Sequence, residues 1–215
     1  MFRTALITSG PTLEPIDPVR FISNRSSGKT GYFLAQEGVS RAMRVFFVSG
    51  PTAYLPRDVE LVQVETALEM REAVLARAAE AEVVIMAAAV CDFRSAKYYP
   101  EKIKKERAKL HLDLVRNPDI LGELGERKRE KQILVGFAAE TENIFENAMK
   151  KLRAKNLDLL VLNEISDSNP AFDADDNQVY LVTPDHIQKL ERLPKARIAR
   201  HVWDEIDVIA CRSAE

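Results

Sequence analysis

An α/β fold, with a mostly parallel sheet covered by helices on both faces, is predicted by two features of the sequence. Short apolar runs alternate with helix-like stretches along most of the chain. The apolar runs are continuous, which suits strands buried on both faces of a parallel sheet. The repeated order of strand then helix implies a Rossmann-like, doubly wound sandwich. A β-prone run near the C-terminus adds a strand extension suited to dimerisation.

Ala5–Thr8 predicts the first strand, starting almost at Met1. The small residues Ser26, Ser27, Gly28 and Gly31 lead into a helix over Gly31–Ala42. Val45–Val48 and Val59–Val64 predict strands, Ala67–Ala79 a helix, and Val83–Ala88 a further strand. Glycine, proline or Asx residues bound most of these runs. Residues 89–115 break the rhythm and contain no clear helix. They hold the charge run Glu101–Lys109, then Leu110–Leu114, which alternates like a half-buried strand. A long loop in a compact domain is usually functional or disordered. Pro118–Lys128 predicts a helix, with Pro118 at its first position behind an Asn117 cap. Ile133–Phe137 is the next strand, Ile144–Lys155 a helix stopped at Asn156, and Leu157–Leu162 a strand. Ser166–Asn177 is polar and turn-rich, and Gln178–Val182 is a strand that pairs either antiparallel or across subunits. The residues beyond 185 add little.

The chain has 215 residues, which suits a single domain over 1–215. Its 31 basic and 33 acidic residues leave a formal net charge of −2, so no global field draws it to nucleic acid or to a membrane. No apolar run approaches the ~18 residues of a membrane span. The start, Met-Phe-Arg-Thr-Ala-Leu-Ile-Thr, turns polar too soon for a signal peptide. Cys91 and Cys211 form neither a metal-like spacing nor a disulfide framework. Reduced thiols and a cytoplasmic location are expected.

Ligands of open α/β sheets bind beyond the carboxyl ends of the strands. The loops leaving those ends are Ser9–Ser27, Ala89–Lys105, Ala138–Thr141 and Asn163–Asp176. In the first, Gly28-Lys29-Thr30 has the tail of a triphosphate-binding P-loop, but Ser23 stands where that motif opens on glycine. The stretch Gly10–Asn24 also separates it from its strand. Small residues opening a helix still leave N–H groups for an anion, so a phosphorylated ligand is expected. A serine-rich helix cap is the plainer alternative. Asp92 follows the small run Ala87–Ala89, where it either accepts hydrogen bonds from a ligand or caps a helix. Lys102-Ile-Lys-Lys105 is either a lid carrying ammonium groups to a polyphosphate or a solvated charge run. Phe137 either flanks a base or ribose or belongs to the core. Lys151 and Lys155, at i and i+4, share one helix face, which meets either a triphosphate or water. No Gly-x-Ser-x-Gly elbow, zinc spacing or histidine triad is present. Strand one continues into Gly10-Pro11-Thr12 and strand two ends in Val48-Ser49-Gly50, which disfavours an NAD(P)-dependent reductase on the same fold.

Taken together, these loops resemble the phosphopantothenate–cysteine ligases of coenzyme A biosynthesis. The matching segments are Ile7–Thr12, Asp17–Asn24 with Ser26–Lys29, Ala88–Phe93, Lys102–Lys105, Asn117–Ile120, Gly136–Thr141 and Lys155–Asp158, in family order over about residues 4–183. Cys91 departs from the small residue common there, and Arg25 is at a variable position. The resemblance implies condensation of 4′-phosphopantothenate with L-cysteine through an acyl-cytidylate, with CTP as substrate and Mg²⁺ on its phosphates. The basic motif at Lys102 looks like the bacterial, CTP-using pattern; an ATP-using version is the alternative. A nucleotide-binding module without catalysis is a further one. By resemblance, Gly10, Ser26, Gly28, Gly31, Asp92, Pro118, Asp119, Ile120, Leu121, Phe137, Lys151 and Lys155 contact the nucleotide. Ala88 and Ala89 lie along the phosphopantothenate, Arg20 and Asn24 reach it from the neighbouring subunit of a homodimer, and the catalytic residues are Asn24 and Lys102, with Lys102 stabilising charge at the reacting phosphate. The resemblance also implies a phosphopantothenoylcysteine decarboxylase partner, with this chain a stand-alone form or an excised half. No protein ligand of the metal is assigned.

Overall fold

The computed structural model describes residues 2–104, 110–165 and 174–212. Six apolar runs become parallel strands: β1 (Thr4–Ser9), β4 (Arg44–Ser49), β5 (Glu60–Gln63), β6 (Val83–Met86), β9 (Ile133–Glu140) and β10 (Leu159–Glu164). Numbered among themselves in chain order, they stand 3-2-1-4-5-6 across the sheet, the doubly wound Rossmann order. Two antiparallel strands, β11 (Asp176–Val182) and β12 (Ile187–Pro194), extend the sheet beyond β10. Short hairpins are made by β2 (Leu13–Pro15) with β3 (Phe21–Ser23), and by β7 (Phe93–Ser95) with β8 (Leu114–Arg116).

The period of two along each strand sorts the core into two layers. Ile7, Phe47, Ile85, Val135 and Val161 pack toward α1 (Lys29–Ser40) and α5 (Lys195–Arg212). Leu6, Phe46, Val84, Leu134 and Leu160 pack toward α2 (Ala67–Ala78), α3 (Ile120–Glu126) and α4 (Ile144–Ala154). The helix boundaries follow from local chemistry. Thr66 and Glu69 close a reciprocal capping box on α2. The expected Asn156 stop holds: it sits at φ 51 just past α4.

Four expectations change. The cap of α3 is Asp119, whose carboxylate accepts from Gly122 N at 3.0 Å, so Pro118 lies outside the helix. Asn117 is drawn away because its side chain has a better use, described below. Leu110–Leu114 is not a strand; pairing begins only at Leu114, where β7 supplies a partner. Gln178–Val182 does pair antiparallel, but β10 and β12 occupy both of its edges, so it offers no free edge to another subunit. Finally, the C-terminal residues form β12 and a long amphipathic helix. Its buried stripe of Ile198, Ala199, Val202, Trp203 and Ile206 seats it beside α1. The Trp203 indole donates to Leu34 O at 2.9 Å. Residues 105–109 of the charge run and 166–173 of the polar segment lie outside the described residues.

Large exposed apolar side chains gather around the two hairpins. Val19, Phe21, Phe93, Tyr98, Leu110, Leu114 and Val115 all belong to them or to their connections. This arm stands beyond the carboxyl ends of β1 and β6, the two strands where the winding reverses.

Candidate active site

The loops leaving β1 and β6 are tied together at the reversal. Ala89 N donates to Gly10 O (2.9 Å), Thr12 N to Ala89 O (3.3 Å) and Cys91 N to Thr12 Oγ1 (3.0 Å). Gly10 has φ 72, and a Cβ there would stand 2.8 Å from Gly50 O, so the turn needs glycine. Gly10 therefore shapes the loop and does not itself line a cavity.

A cleft opens between these loops and the ends of β9 and β10. It consists of two adjoining cavities of about 440 and 560 Å³, the size of ordinary small-molecule sites. Both are lined by Ala88, Val90, Asp92, Phe137 and Lys151, which therefore mark their junction. One wall of the larger cavity is Asn24–Gly31 with the start of α1. Gly28, at φ 79, is the N-cap of α1 and has no side chain to cap it; Ser27 Oγ accepts from Lys29 N at 3.5 Å. The next N–H groups of the first turn are at a helix start suited to an anion.

This wall is seated closely on β1. Ser9 Oγ donates to Gly28 O at 2.9 Å, and a Cβ on Gly31 would lie 2.4 Å from Ser9 Oγ and 3.0 Å from Ser9 Cα. Gly31→Ala should therefore cost about 1–3 kcal/mol, the usual penalty of forcing an atom into a packed site. Chemical denaturation measures it; adding Ser9→Gly in the same chain should return part of the loss. A wild-type midpoint for Gly31→Ala would disprove the close seating.

The smaller cavity is walled by Cys91–Phe93 and by Arg116–Leu121. Asn117 joins its two sides: its N donates to Asp92 O, its Nδ2 to Cys91 O, each at 2.8 Å, and its Oδ1 accepts from Arg94 Nη1 at 3.0 Å. That role explains why it does not cap α3. Asp119 is committed to Lys155, whose Nζ donates to it at 2.8 Å. Burial pushes the Asp119 carboxyl up, but Lys155 and the Gly122 N–H outweigh it and hold the carboxyl below its ordinary range.

Lys151 is the outlier in charge. Burial, then its neighbour Lys155, depress its ammonium below the ordinary lysine range. Among the described residues no carboxylate forms an ion pair with it. The junction of the cavities thus holds a partly desolvated cation alongside Asp92, which is exposed. Among the described residues no group of three or more His, Cys, Asp or Glu side chains could hold a metal ion.

The cleft brings together Asn24, Ser26, Gly28, Gly31, Ala88, Ala89, Asp92, Pro118, Asp119, Ile120, Leu121, Phe137, Lys151 and Lys155. Asn24 belongs to the chain's own cleft, its Nδ2 donating to Ala89 O (3.2 Å) and Val90 O (3.0 Å). Arg20 and Lys102 line neither cavity; they sit on the arm. There Arg20 Nη2 donates to Ile103 O, and Ile103 N donates to the buried Asp17 at 3.1 Å. The larger cavity is also lined by Lys29, from the Gly28-Lys29-Thr30 loop, and by Asn163, Asn177 and Lys195, which sequence reasoning did not place in the site. Asn163 is the last residue but one of β10, beside Glu164, and was legible as a residue near a strand end. Asn177 and Lys195 arrive through the antiparallel extension and carry no local motif.

Residues 2–209 match the family described as DNA/pantothenate metabolism flavoprotein C-terminal domain. The chain belongs to this family. It is 44% identical over 98% of its length to the Coenzyme A biosynthesis bifunctional protein CoaBC of Bacillus subtilis, and 42% identical over 94% to that of Escherichia coli K12. It covers 52% and 50% of those two proteins, so it spans about half the length of the curated relatives it matches. It also superimposes on a crystal structure of the C-terminal domain of such a CoaBC protein with a TM-score of 0.81, at 42% identity, covering 96% of this chain and 95% of the other. No helix among the described residues is long and apolar enough to cross a membrane.

Proposed function

We propose that this chain is a phosphopantothenate–cysteine ligase of coenzyme A biosynthesis, using CTP. The observation that carries the reading is the partly buried Lys151, in no ion pair among the described residues, at the junction of two cavities, in a chain so similar to the C-terminal domain of CoaBC proteins. One cavity offers the N–H groups of a helix start to phosphate, and the other offers the Pro118–Leu121 backbone and Phe137 to a base. The substrates then meet near Lys151 and Asp92.

The chemistry proceeds in two displacements. The carboxylate of 4′-phosphopantothenate attacks the α-phosphorus of CTP and expels pyrophosphate. The amine of L-cysteine then attacks the acyl carbon of the acyl-cytidylate, loses a proton and releases CMP. Both steps need alignment and neutralisation of phosphate charge more than covalent help. Lys151 and the start of α1 supply fixed positive ends, and Asn24 braces the Ala89–Val90 loop. Mg²⁺ would offset triphosphate charge. The donor set fits a cation held mainly by phosphate and water, with Asp92 as the carboxylate at hand.

We further propose a homodimer, supported by the exposed apolar arm, which is the kind of surface a second copy would cover. A decarboxylase partner, in the same polypeptide or separate, and a cytoplasmic setting belong to the same reading. The test is pyrophosphate release with CTP or ATP, with and without phosphopantothenate, before cysteine is added. Release should require phosphopantothenate, with kcat/KM for CTP well above that for ATP. A site that pairs one polar base edge can reject another by ~10⁴. Phe137→Ala should weaken both nucleotides alike. Equal use of ATP would overturn the nucleotide choice alone; no release with either would overturn the ligase.

A further inference from the structure

We infer that Arg116 binds the phosphate chain of the nucleotide, from a wall of the smaller cavity that the arm supplies at its base. The inference rests on the ligase reading. It adds a residue that adjoins the Asn117–Ile120 segment of the resemblance but lies outside it. Three observations carry it. The first is charge. The charged side chains lining the smaller cavity are Asp92, Arg116, Asp119, Lys151 and Lys155. Asp119 is committed to Lys155. Arg116, like Lys151, forms no ion pair among the described residues. Only Asp92 is left to offset both cations, so the cavity keeps an excess of positive charge, which draws an oxyanion.

The second is direction. Arg116 stands directly opposite Phe93 in the pairing of β7 with β8. Residues directly opposite in an antiparallel pair project from the same face. Both line the cavity, so this face of the arm is a wall of the pocket. The third is support. Arg94 Nη1 donates to Arg116 O at 2.8 Å and to Asn117 Oδ1 at 3.0 Å. One guanidinium is thus spent on holding the backbone that carries the other. Asn117 N in turn donates to Asp92 O at 2.8 Å, which ties β8 to the loop leaving β6. The Arg116 side chain stands free on a fixed stem. Its planar fork suits two phosphate oxygens at once, where Lys151 offers a point charge from α4.

Two substrates of the proposed reaction carry phosphate, the nucleotide and phosphopantothenate. Arg116 lines the smaller cavity and not the larger, so the nucleotide is the ligand expected. Isothermal titration of the full chain with CTP, cytidine and 4′-phosphopantothenate tests this. Arg116→Met should weaken CTP about 10–100-fold, the usual range for losing hydrogen bonds to a charged group. It should leave cytidine and phosphopantothenate unchanged. Arg116→Lys keeps the charge without the fork, and its affinity for CTP should fall between those of Arg116→Met and the wild type. Arg116 is exposed, so circular dichroism should show a wild-type fold. Should Arg116→Met not fold, Arg116→Lys carries the test: CTP weakened, cytidine unchanged. Unchanged CTP affinity, equal weakening of CTP and cytidine, or weakening of phosphopantothenate alone would overturn the inference. In each case wild-type binding of CTP and phosphopantothenate leaves the ligase reading standing. Wild-type protein that binds neither would overturn both.

Discussion

Lys151→Met should lower kcat/KM for the nucleotide about 10²–10³-fold, the cost of removing one aligned charge from a reacting phosphate. It should at the same time make the empty protein more stable. The two effects share one cause. Burial and the neighbouring Lys155 disfavour the Lys151 ammonium, and among the described residues no carboxylate pairs with it. Each ~1 kcal/mol of relief raises Tm by about 2–4 °C in a chain of this size, so the variant's Tm should shift upward. The sign of the pH dependence follows. The folded-state pKa of Lys151 lies below its unfolded value, so between the two the unfolded chain holds more protons and stability rises with pH. A bound phosphate reverses the balance by favouring the ammonium. Binding then takes up a proton in that window, and affinity falls as pH rises past the depressed pKa. Titrations in two buffers of different ionisation enthalpy measure the proton uptake, and Lys151→Met should abolish it. A variant that loses stability and activity together would show that Lys151 holds the fold and not the ligand.

The doubly wound order was legible because its causes are local and repeated. Continuous apolar runs such as Val83–Met86 need cover on both faces, and helices of matching length supply it. The cleft residues at strand ends were legible for a related reason. Small residues such as Ala88 and Ala89 at the end of a strand leave room for a ligand wherever the sheet reverses. What could not be read depended on partners distant in sequence. Asn117 looked like a helix cap, yet Cys91, Asp92 and Arg94, over twenty residues earlier, engage its backbone N–H and both polar atoms of its side chain. Lys195 lies beyond residue 185, in the stretch where the sequence offered no motif. Only the antiparallel turn of β11 and β12 returns it to the cleft as a buried cation. A single exposed-looking lysine carries no local sign of that outcome.

Chains carrying Lys151→Met, mixed with chains carrying Lys102→Gln, should recover activity that neither has alone. Lys102 is expected to act at the reacting phosphate, but it lines neither cavity of its own chain. Its neighbour Ile103 is pinned to Asp17 and Arg20 on the arm, so Lys102 and Arg20 move as one unit with that arm. The arm carries Val19, Phe21 and Tyr98 exposed, which a second copy would cover. On a two-fold axis, the arm of each subunit would reach the cleft of the other. In a mixed dimer, the Lys102→Gln chain contributes an intact cleft and the Lys151→Met chain an intact arm, so one of the two sites is complete. Random re-pairing makes about half the dimers mixed, and about a quarter of wild-type activity should return. Subunit exchange is verified by native mass spectrometry and activity by pyrophosphate release. If the chains exchange and activity stays at the level of the single variants, Lys102 works within its own chain or away from the reaction. If light scattering finds a fully active monomer, the shared site fails altogether, because a monomer has no second arm to complete its cleft.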